Sequence, residues 1–75
     1  MNLNDQTFLR DIGHRFRELR TERKLTQAQL AEACQLHRTF IGSVERGERN
    51  ISILNLRLLA KKLRVPLSEI LADLV

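Results

Sequence analysis

Residues 27–46 read QAQLAEACQLHRTFIGSVER and carry small and apolar residues at the spacing of two short helices joined by a tight turn. The small Ala31 lies four residues after Gln27, where the two helices of such a unit must cross closely. The remaining inward-facing positions hold Leu30, Cys34, Leu36, Ile41 and Val44. This pattern predicts a helix-turn-helix motif, and an ordinary helical hairpin within a small bundle is the alternative.

Local signals mark the ends of both helices of the motif. Thr26 is a favourable N-cap, and Gln29 three residues later completes a capping box, so the first helix runs over about 27–34. The second helix runs over about 37–46. It ends at Gly47, because glycine readily adopts the left-handed conformation that follows a helix.

Three further amphipathic segments flank the motif. One covers about 5–24, one follows the N-cap Ser52 to about Leu63, and Pro66 begins the last. Their apolar residues at helical spacing include Phe8, Ile12, Phe16, Leu19, Leu54, Leu56, Leu58, Leu59, Leu63, Leu67, Ile70, Leu71 and Leu74. No segment has the pattern of a strand. The sequence therefore predicts an all-α, compact five-helix fold in a single domain over residues 1–75.

The charge of the chain suggests a polyanionic partner without requiring one. Thirteen Lys and Arg against nine Asp and Glu give a net charge of +4 and a pI near 10.2. Ten of the thirteen cations are Arg, whose planar fork suits phosphates and guanine edges. With no Trp or Tyr and three Phe, the chain has little with which to stack single-stranded bases, so duplex is the better candidate.

Several classes of protein are disfavoured. The lone Cys34 forms no internal disulfide, and neither a run of 18 apolar residues nor a signal-like segment is present, so we expect a cytoplasmic protein without a membrane anchor. Two His and one Cys lack the spacing of a metal site. No nucleotide or nucleophile motif accompanies them. We expect no enzyme, no cofactor and no small-molecule ligand.

Residues 16–63 also carry short matches to a known family, and these are Arg20, Thr26-Gln27, Leu30-Ala31, His37-Arg38-Thr39-Phe40-Ile41, Val44-Glu45-Arg46-Gly47 and Arg49-Asn50. In them the chain resembles the Cro/repressor-like (XRE) family, and most of all the controller proteins of restriction-modification systems. The resemblance implies a lambda-repressor-like domain whose third helix enters the major groove. At Gln35 the family commonly has glycine. A left-handed backbone there costs another residue about 1 kcal/mol, which leaves an adjusted turn open within the same fold.

The second helix of the motif supplies candidates for reading bases. With His37 as N-cap, we expect Arg38, Thr39 and Ser43 to lie opposite the buried face and to point outwards. Arg binds guanine O6 and N7 together, and Thr offers thymine a hydroxyl and a methyl group. Gly42 is expected to let the helix approach the groove closely. For Arg38, a solvated surface charge is the alternative.

Other residues are expected to hold the DNA backbone or the reading helix. Gln27 resembles the family's phosphate-contacting glutamine and begins a helix, whose free N–H groups attract phosphate. Arg46, Arg49 and Asn50 are expected to contact the backbone as well. The resemblance further implies an ion pair between Arg20 and Glu45. A solvated Glu45 is the alternative.

The last helix is more apolar than a small monomer requires. We expect part of it to form a dimer interface, and the candidates are Leu67, Ile70, Leu71, Leu74 and Val75. The alternative is that all of them close the core of one copy.

The function predicted is a dimeric, sequence-specific regulator of transcription on a palindromic or pseudopalindromic operator, with RNA polymerase a further candidate partner. A controller protein of a restriction-modification system is the finer prediction. A protein-binding helical module, such as an antitoxin or a coactivator-like domain, is the alternative, because one fold serves several ends.

Overall fold

The computed structural model describes residues 2–74, which form five helices and no strand. The helices are α1 (Leu3–Glu22), α2 (Gln27–Cys34), α3 (Arg38–Glu45), α4 (Ile53–Lys62) and α5 (Leu67–Leu71). The predicted all-helical, five-helix fold is confirmed. The main difference from the sequence analysis is the length of α5, which ends at Leu71, so that Leu74 lies in the turn beyond it.

Side-chain caps explain where the helices of the motif begin. The Thr26 hydroxyl accepts a hydrogen bond from the Gln29 N–H at 3.0 Å, and the Gln29 side chain returns one from the Thr26 N–H at 2.8 Å. His37 Nδ1 accepts from the Thr39 N–H at 3.1 Å. Each cap binds an N–H group that the helix itself leaves without a partner. Both helix starts are therefore fixed locally by the sequence.

The turn between α2 and α3 keeps its left-handed residue although that residue is not glycine. Gln35 adopts φ 56° and ψ 39°. Its N–H donates to the Glu32 carbonyl at 3.1 Å, and the Leu36 N–H donates to the Ala31 carbonyl at 2.9 Å. These bonds hold the conformation against its local cost, so the turn is not adjusted in the way the sequence left open.

One hydrophobic core joins all five helices. Its fully buried large side chains are Phe16, Leu30, Ile41, Leu59, Leu63 and Ile70. The prediction that Ile70 contacts a second copy is therefore wrong, because this residue is 0% exposed within one copy. Leu67, Leu71 and Leu74 are half-buried against the same core, and Val75 lies outside the described residues.

Two arginines, one in α1 and one at its C-cap, fix the two C-terminal helices to the rest of the fold. The Arg15 guanidinium donates to the Glu69 carbonyl at 2.6 Å and to the Ala72 carbonyl at 3.1 Å, at the end of α5. Arg23 donates from Nε to the Leu63 carbonyl at 2.6 Å, at the end of α4. Cations suit these positions because the last carbonyls of a helix carry partial negative charge.

The backbones of α1 and the end of α3 are in direct contact. A methyl group on Gly13 would lie 2.6 Å from the Glu45 carbonyl oxygen, and one on Gly47 would lie 2.8 Å from the Arg10 Cα. Gly47 has φ +74°, as expected for the residue that ends α3. Because side chains are absent at Gly13 and Gly47, the backbone of α1 packs directly against the end of α3.

None of the helices in the described part of the chain is long and apolar enough to cross a bilayer.

We expect Gln35→Gly to stabilise the fold by about 0.5 kcal/mol. Glycine removes a local cost of about 1 kcal/mol, and its greater freedom in the unfolded chain offsets roughly half of that gain. Urea denaturation at one fixed protein concentration measures the difference. The control is Glu32→Gly within α2, which should destabilise the fold by about 1 kcal/mol. A less stable Gln35→Gly variant would contradict the expectation.

Candidate nucleic-acid interface

A shallow groove runs between the start of α2 and the first turns of α3. Its lining includes Lys24, Thr26, Gln27, Arg38, Thr39 and Arg46. Three of these six side chains are cationic, and the free N–H groups at the start of α2 open onto the same surface. The groove thus combines positive charge with hydrogen-bond donors, which suits a phosphate backbone.

Arg38 and Thr39 lie together on the first turn of α3 and are both exposed. Among residues 2–74, Arg38 has no carboxylate within ion-pair distance. Its guanidinium is consequently available to a ligand. The structure brings this pair into one groove with Gln27 and Arg46, and the role of Arg38 and Thr39 in reading bases stays a prediction.

A buried carboxylate connects the first three helices. Glu45 Oε2 accepts from Arg20 Nε at 2.7 Å, and Oε1 accepts from Arg20 Nη2 at 2.9 Å and from Gln27 Nε2 at 3.1 Å. The two side chains of the ion pair are 10% and 3% exposed. Arg20 also donates from Nη1 to the Leu25 carbonyl at 2.7 Å. The hydrogen bonds that Arg20 donates to Glu45 raise the pKa of Arg20, although burial opposes the shift.

The same contact orients Gln27. Its amide nitrogen donates to Glu45. A methyl group added to Gly42 would lie 3.4 Å from the amide oxygen of Gln27. Such a side chain would also lie 3.0 Å from Arg46 Nη1. Gly42 therefore leaves room for the Gln27 and Arg46 side chains, and the expected close approach of DNA at Gly42 stays a prediction.

Ser43 does not belong to the exposed face of α3. It is 7% exposed, and its hydroxyl donates to the Phe40 carbonyl at 2.8 Å and accepts from Arg49 Nε at 3.1 Å. The prediction that Ser43 points outwards to read a base is wrong. The chain after α3 folds back over it, with the Glu48 N–H donating to the Ser43 carbonyl at 2.9 Å, and helical spacing alone does not reveal that return.

Arg49 is held against α3 by two neutral groups. Besides the Ser43 hydroxyl, the Phe40 ring lies below its guanidinium, 5.2 Å from the guanidinium carbon to the ring centre. A cation over an aromatic face is attracted by the ring without losing its charge. Arg49 therefore presents an ordered positive charge at the side of α3.

Arg46 forms an ion pair with Glu48, which was not among the residues predicted from sequence. Its Nε and Nη2 donate to the two carboxylate oxygens of Glu48 at 3.0 and 3.1 Å. This hydrogen bonding raises the pKa of Arg46 and lowers that of Glu48. Asn50 lies apart from the groove, in a separate small cavity beside Asp5 and Phe8.

The helix-turn-helix family matches residues 16–70 of the chain. The chain belongs to this family. It is 45% identical over 60 residues to the control protein C.SmaI of Serratia marcescens, covering 80% of this chain and 71% of that relative. To the control protein C.BamHI of Bacillus amyloliquefaciens it is 38% identical over 61 residues, covering 80% and 75%.

A solved structure shows the same helix-turn-helix arrangement. The restriction-modification controller protein C.AhdI from Aeromonas hydrophila aligns with a TM-score of 0.80 at 44% identity, over 83% of this chain and 94% of that one. The predicted resemblance to the Cro/repressor-like family, and to controller proteins within it, is confirmed.

Three features of this helix-turn-helix surface were missed from sequence, namely Lys24, Phe40 and Glu48. Lys24 immediately precedes the capping segment of α2, and Phe40 is an aromatic residue outside the inward-facing set. The charge of Lys24 and the aromatic ring of Phe40 could each have been recognised from sequence as candidates for this surface. The partners of Phe40 and Glu48 depend on how the chain returns after α3, which local spacing does not specify.

We expect Glu45→Gln to destabilise the fold by about 3 kcal/mol, because it leaves the buried Arg20 guanidinium without its countercharge. Chemical denaturation measures the loss. Glu22→Gln is the matched control, since Glu22 lies 3.7 Å from Arg23 and its side chain is 67% exposed. That exposed pair should contribute roughly 0 to 1 kcal/mol. Equal free energies of unfolding for the wild type and Glu45→Gln would show that the ion pair does not stabilise the fold.

Proposed function

We propose that the chain is a sequence-specific regulator of transcription that binds double-stranded DNA with α3 in the major groove. The observation that carries the proposal is the groove itself, which places exposed Arg38 and Thr39 beside the start of α2. Membership of the helix-turn-helix family, whose members bind double-stranded DNA, supports it. The family is not a class of enzymes, and the proposal includes no catalytic activity.

The roles divide between base edges and phosphates. Arg38 and Thr39 are proposed to read bases, because they project from the turn of α3 that enters a groove first. Gln27 and the start of α2 are proposed to hold one phosphate, and Arg49 another, with Arg46 between them. Asn50 is proposed as a further backbone contact and lies furthest from this set.

The finer proposal is a controller protein of a restriction-modification system, acting in the cytoplasm. The control proteins among the relatives support it. A neighbouring methyltransferase gene and nuclease gene would be the corresponding genetic evidence. Control of transcription also makes RNA polymerase a partner, through contact or competition on the same duplex.

A homodimer is part of the proposal, with a revised interface. Ile70 is buried within one copy, whereas Ile53 and Leu54 at the start of α4 are 62% and 64% exposed. Two large adjacent apolar side chains on a surface favour contact with another protein, and a second copy placed by twofold symmetry would read the two halves of a palindrome. The half-buried Leu67, Leu71 and Leu74 are proposed to contribute at the edge.

We expect a dimer at tens of micromolar in sedimentation equilibrium, and we expect Leu54→Asp to shift it to monomer. Because Leu54 is exposed, its substitution should leave the fold intact, and circular dichroism checks that it does. Leu3→Asp is the matched control, because Leu3 is likewise a large exposed apolar residue, 70% exposed on the first turn of α1. A monomeric wild type, or equal effects of the two substitutions, would contradict the proposed interface.

We expect Arg38→Ala to weaken binding to a selected operator by about 1 to 3 kcal/mol and to change random-duplex affinity much less, because one base is no longer read. The operator is obtained by selection from a random pool. Arg49→Ala should weaken both duplexes by similar factors and reduce the salt slope by about one counterion. Both constants are measured for each variant in one buffer.

One further variant serves as a control for this comparison. Ser43→Ala should resemble a mild Arg49→Ala, since the Ser43 hydroxyl positions Arg49, and should leave the operator preference intact. A parallel loss of both affinities in Arg38→Ala would remove α3 as the reading element. Failure of selection to enrich any sequence would favour a protein-binding module instead.

A further inference from the structure

The ion pair between Arg46 and Glu48 lies on the surface proposed to meet DNA. Arg46 lines the groove together with Gln27 and Arg38, and Glu48 follows in the loop after α3. Both side chains of the pair are 58% exposed. A carboxylate therefore lies at the edge of the surface that is proposed to receive phosphate.

The geometry of this pair is the one a phosphate would use. Two parallel N–H groups of Arg46 donate to the two oxygens of Glu48, at 3.0 and 3.1 Å. Arg binds phosphate through the same two-pronged arrangement. The Nε edge of Arg46 can bind Glu48 or a phosphate oxygen pair, but it cannot bind both at once.

Glu48 differs from Glu45, the other acidic residue of α3 and its loop, in the kind of cation that it pairs with. Residues 37–50 contain three Arg and two Glu. Glu45 is paired inside the fold with Arg20, and Arg49 is held by a hydroxyl and a ring, which leave its charge intact. Glu48 is the residue of this segment whose carboxylate neutralises a cation on the reading surface.

We propose that Glu48 is an internal competitor with DNA phosphate for Arg46, which lowers the affinity for every duplex without choosing among base sequences. The inference rests on the proposed DNA-binding function. Exposed pairs are weak, so the competition adjusts affinity and does not block binding. Such a contact sets the protein concentration at which DNA sites fill.

The test compares Glu48→Gln with Glu69→Gln on the full chain. Glu69 is an exposed residue of α5, a helix that packs on α1 and α4, so its loss changes the net charge equally but away from the groove. We expect Glu48→Gln to tighten binding to operator and random duplexes by a similar factor, about two- to fivefold. Its salt slope should steepen by about one counterion. Glu69→Gln should change either affinity by much less.

A double-substitution cycle separates competition from simple charge removal. In an Arg46→Gln background, Glu48→Gln should lose most of its effect, because the contested guanidinium is absent. Equal effects of Glu48→Gln and Glu69→Gln, or an undiminished effect in that background, would overturn the proposal. Weaker binding by Glu48→Gln would also overturn it, by showing that Glu48 orients Arg46 for DNA.

Binding by the wild-type protein shows whether the proposed function or only the further inference has failed. A wild-type protein that binds neither selected nor random duplex overturns the proposed function and the inference together. A wild-type protein that binds duplex while Glu48→Gln behaves like the control overturns the inference alone.

Discussion

The buried carboxylate of Glu45 accepts hydrogen bonds from Arg20 of α1 and from Gln27 of α2, and so ties both helices to the end of α3. The absence of a side chain at Gly13 permits the close contact between α1 and α3 beside it. A buried ion pair does not by itself add much stability, but each partner becomes costly to leave alone. The orientation of the proposed reading helix therefore depends on this cluster, as does the direction of the Gln27 amide.

The cations at the interface differ in how they are held, and that difference matters more than their number. Arg20 is buried and structural, Arg38 is free to meet a ligand, and Arg49 is ordered by neutral groups. Arg46 is bound to a carboxylate. A formal charge of +4 spread over the whole chain says little about these four environments. Preorganised charge lowers the entropy lost on binding, whereas a paired charge must first exchange its partner.

Local chemistry explains why the helices were predictable. The capping box of Thr26 and Gln29, the His37 cap and the left-handed Gly47 each act within a few residues, so their effects can be recognised from sequence alone. The predictions that Ser43 reads a base and that Ile70 contacts a second copy were wrong for a different reason. Helical spacing gives the direction in which a side chain leaves its own helix. It does not show which other parts of the chain pack against that side chain.

By itself, the sequence determined five helices and the motif between Gln27 and Arg46, because periodicity and capping are properties of neighbouring residues. The turn after α3 set contacts within residues 40–49 that helical spacing does not describe, because it places Arg49 on Phe40 and Glu48 on Arg46. Tertiary structure alone decided the long-range contacts, which bury Ile70 and bring the Arg15 guanidinium to the Glu69 carbonyl. Such contacts depend on how whole helices pack against one another, and no short stretch of residues encodes that packing.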